Sequence, residues 1–128
     1  MLTKLAVAVT VLAASTTMSA ATDLAAGETS FKKCATCHTV GEGAKNKVGP
    51  VLNGLDGRKS GTIEGYNYSP ANKNSGMVWN EETFKTYIKD PKAAMPNTKM
   101  VFSGIRNDKE ADALWHYLKQ FAADGKKK

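Results

Sequence analysis

The residues best equipped for chemistry lie in one short run, Cys34-Ala35-Thr36-Cys37-His38. It holds both cysteines of the 128-residue chain and one of its two histidines. Two thiols three positions apart, followed at once by an imidazole, can close a disulfide, form a thiol redox pair or help to hold zinc. They can also add across the two vinyl groups of a haem while the imidazole ligates its iron. Zinc needs about four ligands, and only His116 remains as a further Cys or His. A thiol redox pair belongs beside a βαβ pattern, which is missing here. The spacing with the adjacent His is the haem c attachment signature. Two thioether links would retain the haem even when an exported protein opens, and His38 would supply the proximal imidazole.

An iron held by one His needs a sixth ligand or keeps an open position. Past the first 21 residues the candidates are Met77, Met95, Met100 and His116. Thioether ligation favours ferrous iron and suits electron transfer, whereas an open position suits a haem enzyme or a gas sensor. Composition does not choose among the methionines, each of which can equally be a gap-filling core side chain.

The elements that position these residues are helical. Asp23 can cap a first helix with Leu24, Gly27 or Glu28, Phe31 and Cys34 on one face. Asn80 can cap a second, whose apolar side is Phe84, Tyr87 and Ile88 and whose extent Pro91 limits. Asn107 to Glu110 forms a variant capping box opening a third helix to about Ala122, with Gly125 as terminator. Its apolar stripe is Ala111, Leu114, Trp115, Leu118, Phe121 and Ala122. His116 reads as a helix-surface residue. Between Thr39 and Val78 there is little periodicity, and glycines and prolines punctuate the chain throughout. So long an irregular stretch is unusual in a compact domain, and a buried prosthetic group would organise it. Neither strand alternation nor an internal repeat stands out.

The chain start reads differently. Lys4 precedes Leu5 to Ala14, a run of ten residues in which only Thr10 is polar, and small residues follow up to Ala21. That is the layout of a secretory signal, and the run is shorter than the roughly 20 apolar residues a membrane span needs. Residues 1–21 are expected to be a cleaved signal peptide, and 22–128 the folded domain, one in number at this length. The formal charge of +6 suits acidic partners or an anionic surface; export argues against nucleic acid. The run Lys126, Lys127, Lys128 reads as a solvated end.

Residues 79–121 resemble the class I cytochromes c. Tyr87-Ile88-Lys89-Asp90-Pro91-Lys92 is similar to that family's helix before the methionine loop, and Pro96 to Ile105 to the loop itself. Asn53 to Gly61, Tyr66 to Asn74 and the 62 positions from His38 to Met100 match as well. The resemblance covers essentially all of 22–122. It points to the bacterial periplasmic branch, of cytochrome c-two type, close to the mitochondrial protein in size. It implies an all-α fold of three main helices, short helices and long loops wrapped around one covalent haem c.

The resemblance also implies roles. Met100 becomes the sixth ligand opposite His38, with Met95 a non-ligating residue. The Pro50 carbonyl accepts from the other nitrogen of His38. Thr98 and Tyr87 hydrogen-bond around the methionine side. Arg58, Tyr68 and Trp79 neighbour the propionates, and Phe102 lies against the haem edge. Gly27, Phe31, Leu114 and Tyr117 form the crossing of first and last helices. Lys33, Lys92 and Lys99 provide partner docking, with Lys32, Lys45, Lys47 and Lys89 as weaker candidates. The function implied is a monomeric periplasmic electron carrier, not an enzyme. Its donor would be a membrane cytochrome bc complex, its acceptor a photosynthetic reaction centre or a terminal oxidase.

Overall fold

A computed structural model describes residues 5–13 and 17–128. The charged start of the expected signal, residues 1–4, and residues 14–16 of its small-residue stretch lie outside the described residues. Residues 5–13 carry no regular structure and are exposed, Leu5 and Leu12 at 89%.

Among the described residues five helices follow in order: α1 Thr17–Phe31, α2 Pro70–Lys73, α3 Glu81–Lys89, α4 Pro91–Ala94 and α5 Asp108–Lys119. There is no β-strand among the described residues, only the isolated bridges Lys59–Val78 and Phe121–Lys127. The expected first helix begins earlier than Asp23. Residues 17–22 hold two alanines and neither Gly nor Pro, so no helix-breaking residue stops the helix from extending backwards, and Asp23 lies within it. Leu24 is 38% exposed rather than packed, since it sits about one turn upstream of the crossing with α5.

Both asparagine caps form. Asn80 accepts from the Thr83 amide while the Thr83 hydroxyl accepts from the Asn80 amide, each at 2.9 Å. Asp90 ends α3 and caps α4, with Pro91 in the first position that tolerates a missing N–H. Asn107 accepts from the Glu110 amide at 3.0 Å, but the other half of the expected box is not made. The Glu110 carboxylate turns instead to α1, accepting from Ser30 Oγ at 3.0 Å and pairing with Lys33. Those bonds hold its carboxyl below the usual carboxylate range.

The far end of α5 also departs from expectation. The helix stops at Lys119, capped by Gln120, and Gly125 terminates no helix. It turns a short hairpin at φ +84°, in which the Ala122 amide donates to Lys126 O at 2.9 Å and the Lys128 amide to Gln120 O at 2.8 Å. Lys126 to Lys128 are thus exposed but paired along the backbone, not a free solvated end, and Lys127 Nζ sits 6.0 Å from the Phe121 ring centroid. His116 is half-buried, with Nδ1 2.8 Å from the Asp112 carbonyl one turn back.

The core is the face of α5. Leu114, Leu118 and Trp115 are 0%, 1% and 2% exposed. Phe84 of α3 packs on Trp115 with ring centroids 5.2 Å apart, and Phe31 of α1 on Tyr117 at 5.6 Å. Helices α1 and α5 cross at Gly27, where an added Cβ would stand 2.6 Å from Tyr117 Cβ and collide with the Ala113 carbonyl. The obstruction is partly backbone, so the helices would have to separate. Gly27→Ala is expected to cost about 1–3 kcal/mol by overpacking. A lowered urea midpoint with unchanged m-value would show it; an unchanged midpoint would mean that the crossing relaxes freely.

Candidate haem site

The irregular middle of the chain does not fill the space between the helices. It lines a cavity of about 220 Å³, closed on one side by Leu114 and Leu118 of α5 and by Phe84, Tyr87 and Ile88 of α3. Every residue expected from the sequence to hold the cofactor lines it: Cys34, Cys37, His38, Pro50, Arg58, Tyr68, Trp79, Tyr87, Thr98, Met100 and Phe102. Of the three lysines expected to dock partners, Lys33 and Lys99 line it too; Lys92 is exposed on α4, apart from it.

One wall grows from the end of α1. Helical turns continue past Phe31, with the Cys34 amide donating to Phe31 O and the His38 amide to Cys34 O, both at 2.8 Å. They bring Cys34, Cys37 and His38 to the same cavity. The two cysteines do not close a disulfide with each other. Burial pushes the Cys34 thiol up to about 11, against the weaker opposing charge of Lys33. A redox-active thiol has the reverse signature, a lowered pKa. Among the described residues no three His, Cys, Asp or Glu side chains converge as a metal cluster.

His38 is fixed in one orientation. Nδ1 lies 2.7 Å from the Pro50 carbonyl, to which it can only donate, so Nε2 is left with its lone pair bare. Burial lowers the pKa of this imidazole and keeps it neutral. Gly49 packs flat against the ring, where a Cβ would stand 2.7 Å from Nδ1. Sequence reasoning does not single out this glycine. Its place directly before Pro50 is the one available signal.

Another wall is the loop after α4. Asn97, at φ +67°, makes a left-handed turn that asparagine tolerates, and the Thr98 amide closes it on Met95 O at 3.0 Å. The Tyr87 hydroxyl then lies 3.0 Å from Thr98 Oγ1 and 3.4 Å from Met100 Sδ. Burial pushes the Tyr87 phenol up, so it stays a donor. The methionines separate here. Met100 lines the cavity, whereas Met95 is 5% exposed inside the helical core and Met77 packs against that core.

Polar groups reach the cavity from the middle of the chain. Arg58 Nη1 donates to Val51 O at 2.9 Å and Asn53 O at 3.1 Å, while its buried Nε has no partner. Burial pulls the Arg58 pKa down. Tyr68 Oη accepts from the Ile63 amide at 3.1 Å, and its own O–H remains available to donate. A carboxylate would satisfy both groups. Trp79, 8% exposed, stands edge-on to Tyr87 at 5.1 Å.

Tyr66 ties the mouth together, a role the sequence does not disclose. Its hydroxyl donates to Val48 O at 2.7 Å, its ring meets Tyr68 at 4.8 Å, and Lys99 Nζ sits 4.8 Å over its face while bonding Asn67 O. Two of the three expected docking lysines are therefore engaged within the chain, Lys99 here and Lys33 with Glu110.

An unpartnered guanidinium nitrogen, a glycine cradle behind an imidazole, and a cavity-lined donor set of imidazole nitrogen and thioether sulfur all fit a haem with acidic side groups. The comparisons agree. Residues 24–122 match the family model of cytochrome c. The chain is 72% identical over 106 residues to cytochrome c2 of Rhodoplanes tepidamans, covering 83% of this chain and 99% of that protein. It is 59% identical to cytochrome c2 of Blastochloris viridis, over 98% of each. Among solved structures it is similar to cytochrome cH from Methylobacterium extorquens, with TM-score 0.72 and 45% identity, covering 76% of this chain and 97% of that one. The chain belongs to the cytochrome c family, as a class I member of the bacterial c2 type: an all-α electron carrier, not an enzyme, that binds haem c covalently through a Cys-X-X-Cys-His run.

Proposed function

We propose that this chain is exported, loses residues 1–21, and works as a monomeric periplasmic carrier of single electrons whose haem iron His38 and Met100 would hold. Its donor is a membrane cytochrome bc complex and its acceptor a photosynthetic reaction centre or a terminal oxidase. The observation that carries the ligand assignment is the pairing of two prepared groups in one cavity. Imidazole Nε2 is freed by the Nδ1 bond to Pro50, and a thioether sulfur lies within reach of the Tyr87 hydroxyl, which Thr98 bonds in turn. Bound haem c supplies an iron that cycles between ferrous and ferric.

The protein's own residues account for the rest. Cys34 and Cys37 offer the sulfurs for attachment. The Pro50 carbonyl fixes the tautomer and ring plane of His38 and strengthens it as a ligand. The Tyr87 hydroxyl orients the sulfur lone pair of Met100. Leu52, Leu55, Ile88, Leu114 and Leu118 give an apolar wall that disfavours the more highly charged ferric state and so supports a raised potential. Arg58, Tyr68 and Trp79 favour the placing of acidic side groups at their end, and Phe102 covers an edge. Lys33, Lys92 and Lys99 provide positive charge for steering acidic partners, a salt-dependent effect. No helix among the described residues is long and apolar enough to cross a membrane.

The product recovered from the periplasm tests this. Its absorption spectrum should show Soret and α bands on reduction, and the weak far-red band of methionine on ferric iron when oxidised. Haem bands without the far-red band would overturn the Met100 assignment; no haem bands would sink the whole reading. The intact mass should equal one haem plus a chain starting at Thr22. Retention of residues 1–21 in that mass would refute cleavage. Met100→Ala should keep haem covalently attached, lose the far-red band, bind carbon monoxide readily when reduced and titrate at a lower potential. An unchanged potential and spectrum would assign the ligand elsewhere.

A further inference from the structure

Ser60 is 2% exposed and does not line the cavity, yet its side chain has one polar partner that does. Its hydroxyl donates to Asn72 Oδ1 at 2.7 Å. Asn72 is on α2, whose first turn is capped by Ser69 Oγ accepting from the Asn72 amide at 3.2 Å. The loop carrying Ser60 is pressed on that helix. A Cβ on Gly61, at φ +78°, would stand 2.8 Å from Lys73 Cα, and the Ser60 amide donates to Met77 O at 2.7 Å. Neither Ser60 nor Asn72 can shift far from the other.

We infer that Ser60 is a positioning residue, locking the Asn72 side-chain amide so that its NH2 faces the haem cavity. The inference rests on reading that cavity as the haem pocket. A hydroxyl can donate to an amide oxygen or accept from an amide nitrogen, so the bond alone does not choose. Burial chooses. With the amide reversed, the Ser60 O–H would have no acceptor among the described residues, and an unmade buried donor costs about 1–3 kcal/mol. With Oδ1 occupied by Ser60, the Nδ2 donors have no protein partner among the described residues and are left for the cavity. An amide NH2 turned inward presents the positive end of its dipole in a low-dielectric space. It disfavours added positive charge there and can hydrogen-bond an acidic side group. Either way the reduced state gains, and the potential is held up.

The test is the midpoint potential of the holoprotein in a double-mutant cycle. Ser60→Ala removes one oxygen and little volume, and frees the amide to reverse. It should change the ferric-to-ferrous ratio at fixed poise about threefold toward ferric, which is a fall of about 28 mV at 59 mV per tenfold for one electron. In an Asn72→Ala background the same substitution should leave the potential unmoved. Ser60→Thr, which keeps the hydroxyl, should hold the parent potential. An unchanged potential in Ser60→Ala, even with a lowered melting temperature, would make Ser60 a purely structural residue and overturn the inference. So would a fall of equal size with and without Asn72, or a fall in Ser60→Thr as large as in Ser60→Ala. Failure of the haem reading is distinct: the parent would then lack haem bands before any variant was made.

Discussion

The core does not close on itself, and the rest of the structure depends on that. Leu114 and Leu118 are fully buried in the helical core and are also wall of a cavity of about 220 Å³. Side chains that face that space have packing partners on one side only, so a group that fills it adds contacts the chain cannot supply alone. A chain of this length buries a modest fraction of its surface, so it has little reserve to spend on an unfilled interior. Covalent attachment answers this constraint, because the group that completes the core cannot then be lost when the fold opens. The long stretch between Thr39 and Val78, irregular except for the one turn of α2, follows from the same fact. Its glycine turns need not form sheets or helices of their own, because they are packed around a filler.

What could be read in the sequence was what is local. The run Cys34 to His38 states its chemistry by spacing alone. Asn80 and Asn107 announce helix starts because a cap acts within one turn, and the α5 stripe declares its buried face by periodicity. The family resemblance carried Met100, Pro50, Arg58 and the aromatic residues to the cavity. Composition could not have separated Met100 from Met95, which differ only in which side of one short loop they occupy. What stayed hidden is non-local. Glu110 sits where a capping box would use it, yet a lysine and a serine some eighty positions away compete for its carboxylate and win. Lys126 to Lys128 look like a solvated end until the turn at Gly125 pairs them with the end of α5. Tyr66 ties its own segment to Val48 through its hydroxyl and to Lys99 through its face, and no pattern in one dimension encodes that.

The lysines show how one charge serves two ends. Lys33 and Lys99 line the cavity mouth, where a positive field would steer acidic partners. Each also braces the chain there, Lys33 by linking α1 to α5 through Glu110, Lys99 by spanning from the methionine loop to Tyr66 and Asn67. Exposed ion pairs are worth only about 0–1 kcal/mol in stability. A partner that draws Lys33 outward must compete with Glu110, so the charge available for docking is less than a count of lysines suggests. Lys92, without an ion-pair partner among the described residues, is not discounted in this way.

The polar groups inside the cavity are few, and each is aimed by a second group behind it. Pro50 aims His38, Thr98 aims Tyr87, and the carbonyls of Val51 and Asn53 aim Arg58. Ser60 behind Asn72 has the same form. In an apolar space a misdirected dipole is as strong as a correct one, because little solvent is present to screen either. A carrier whose task is to hold one potential through many turnovers therefore needs its dipoles fixed more than it needs many of them. Backbone carbonyls and buried hydroxyls suit that purpose, since they cannot titrate near neutral pH and have no long side chain to move.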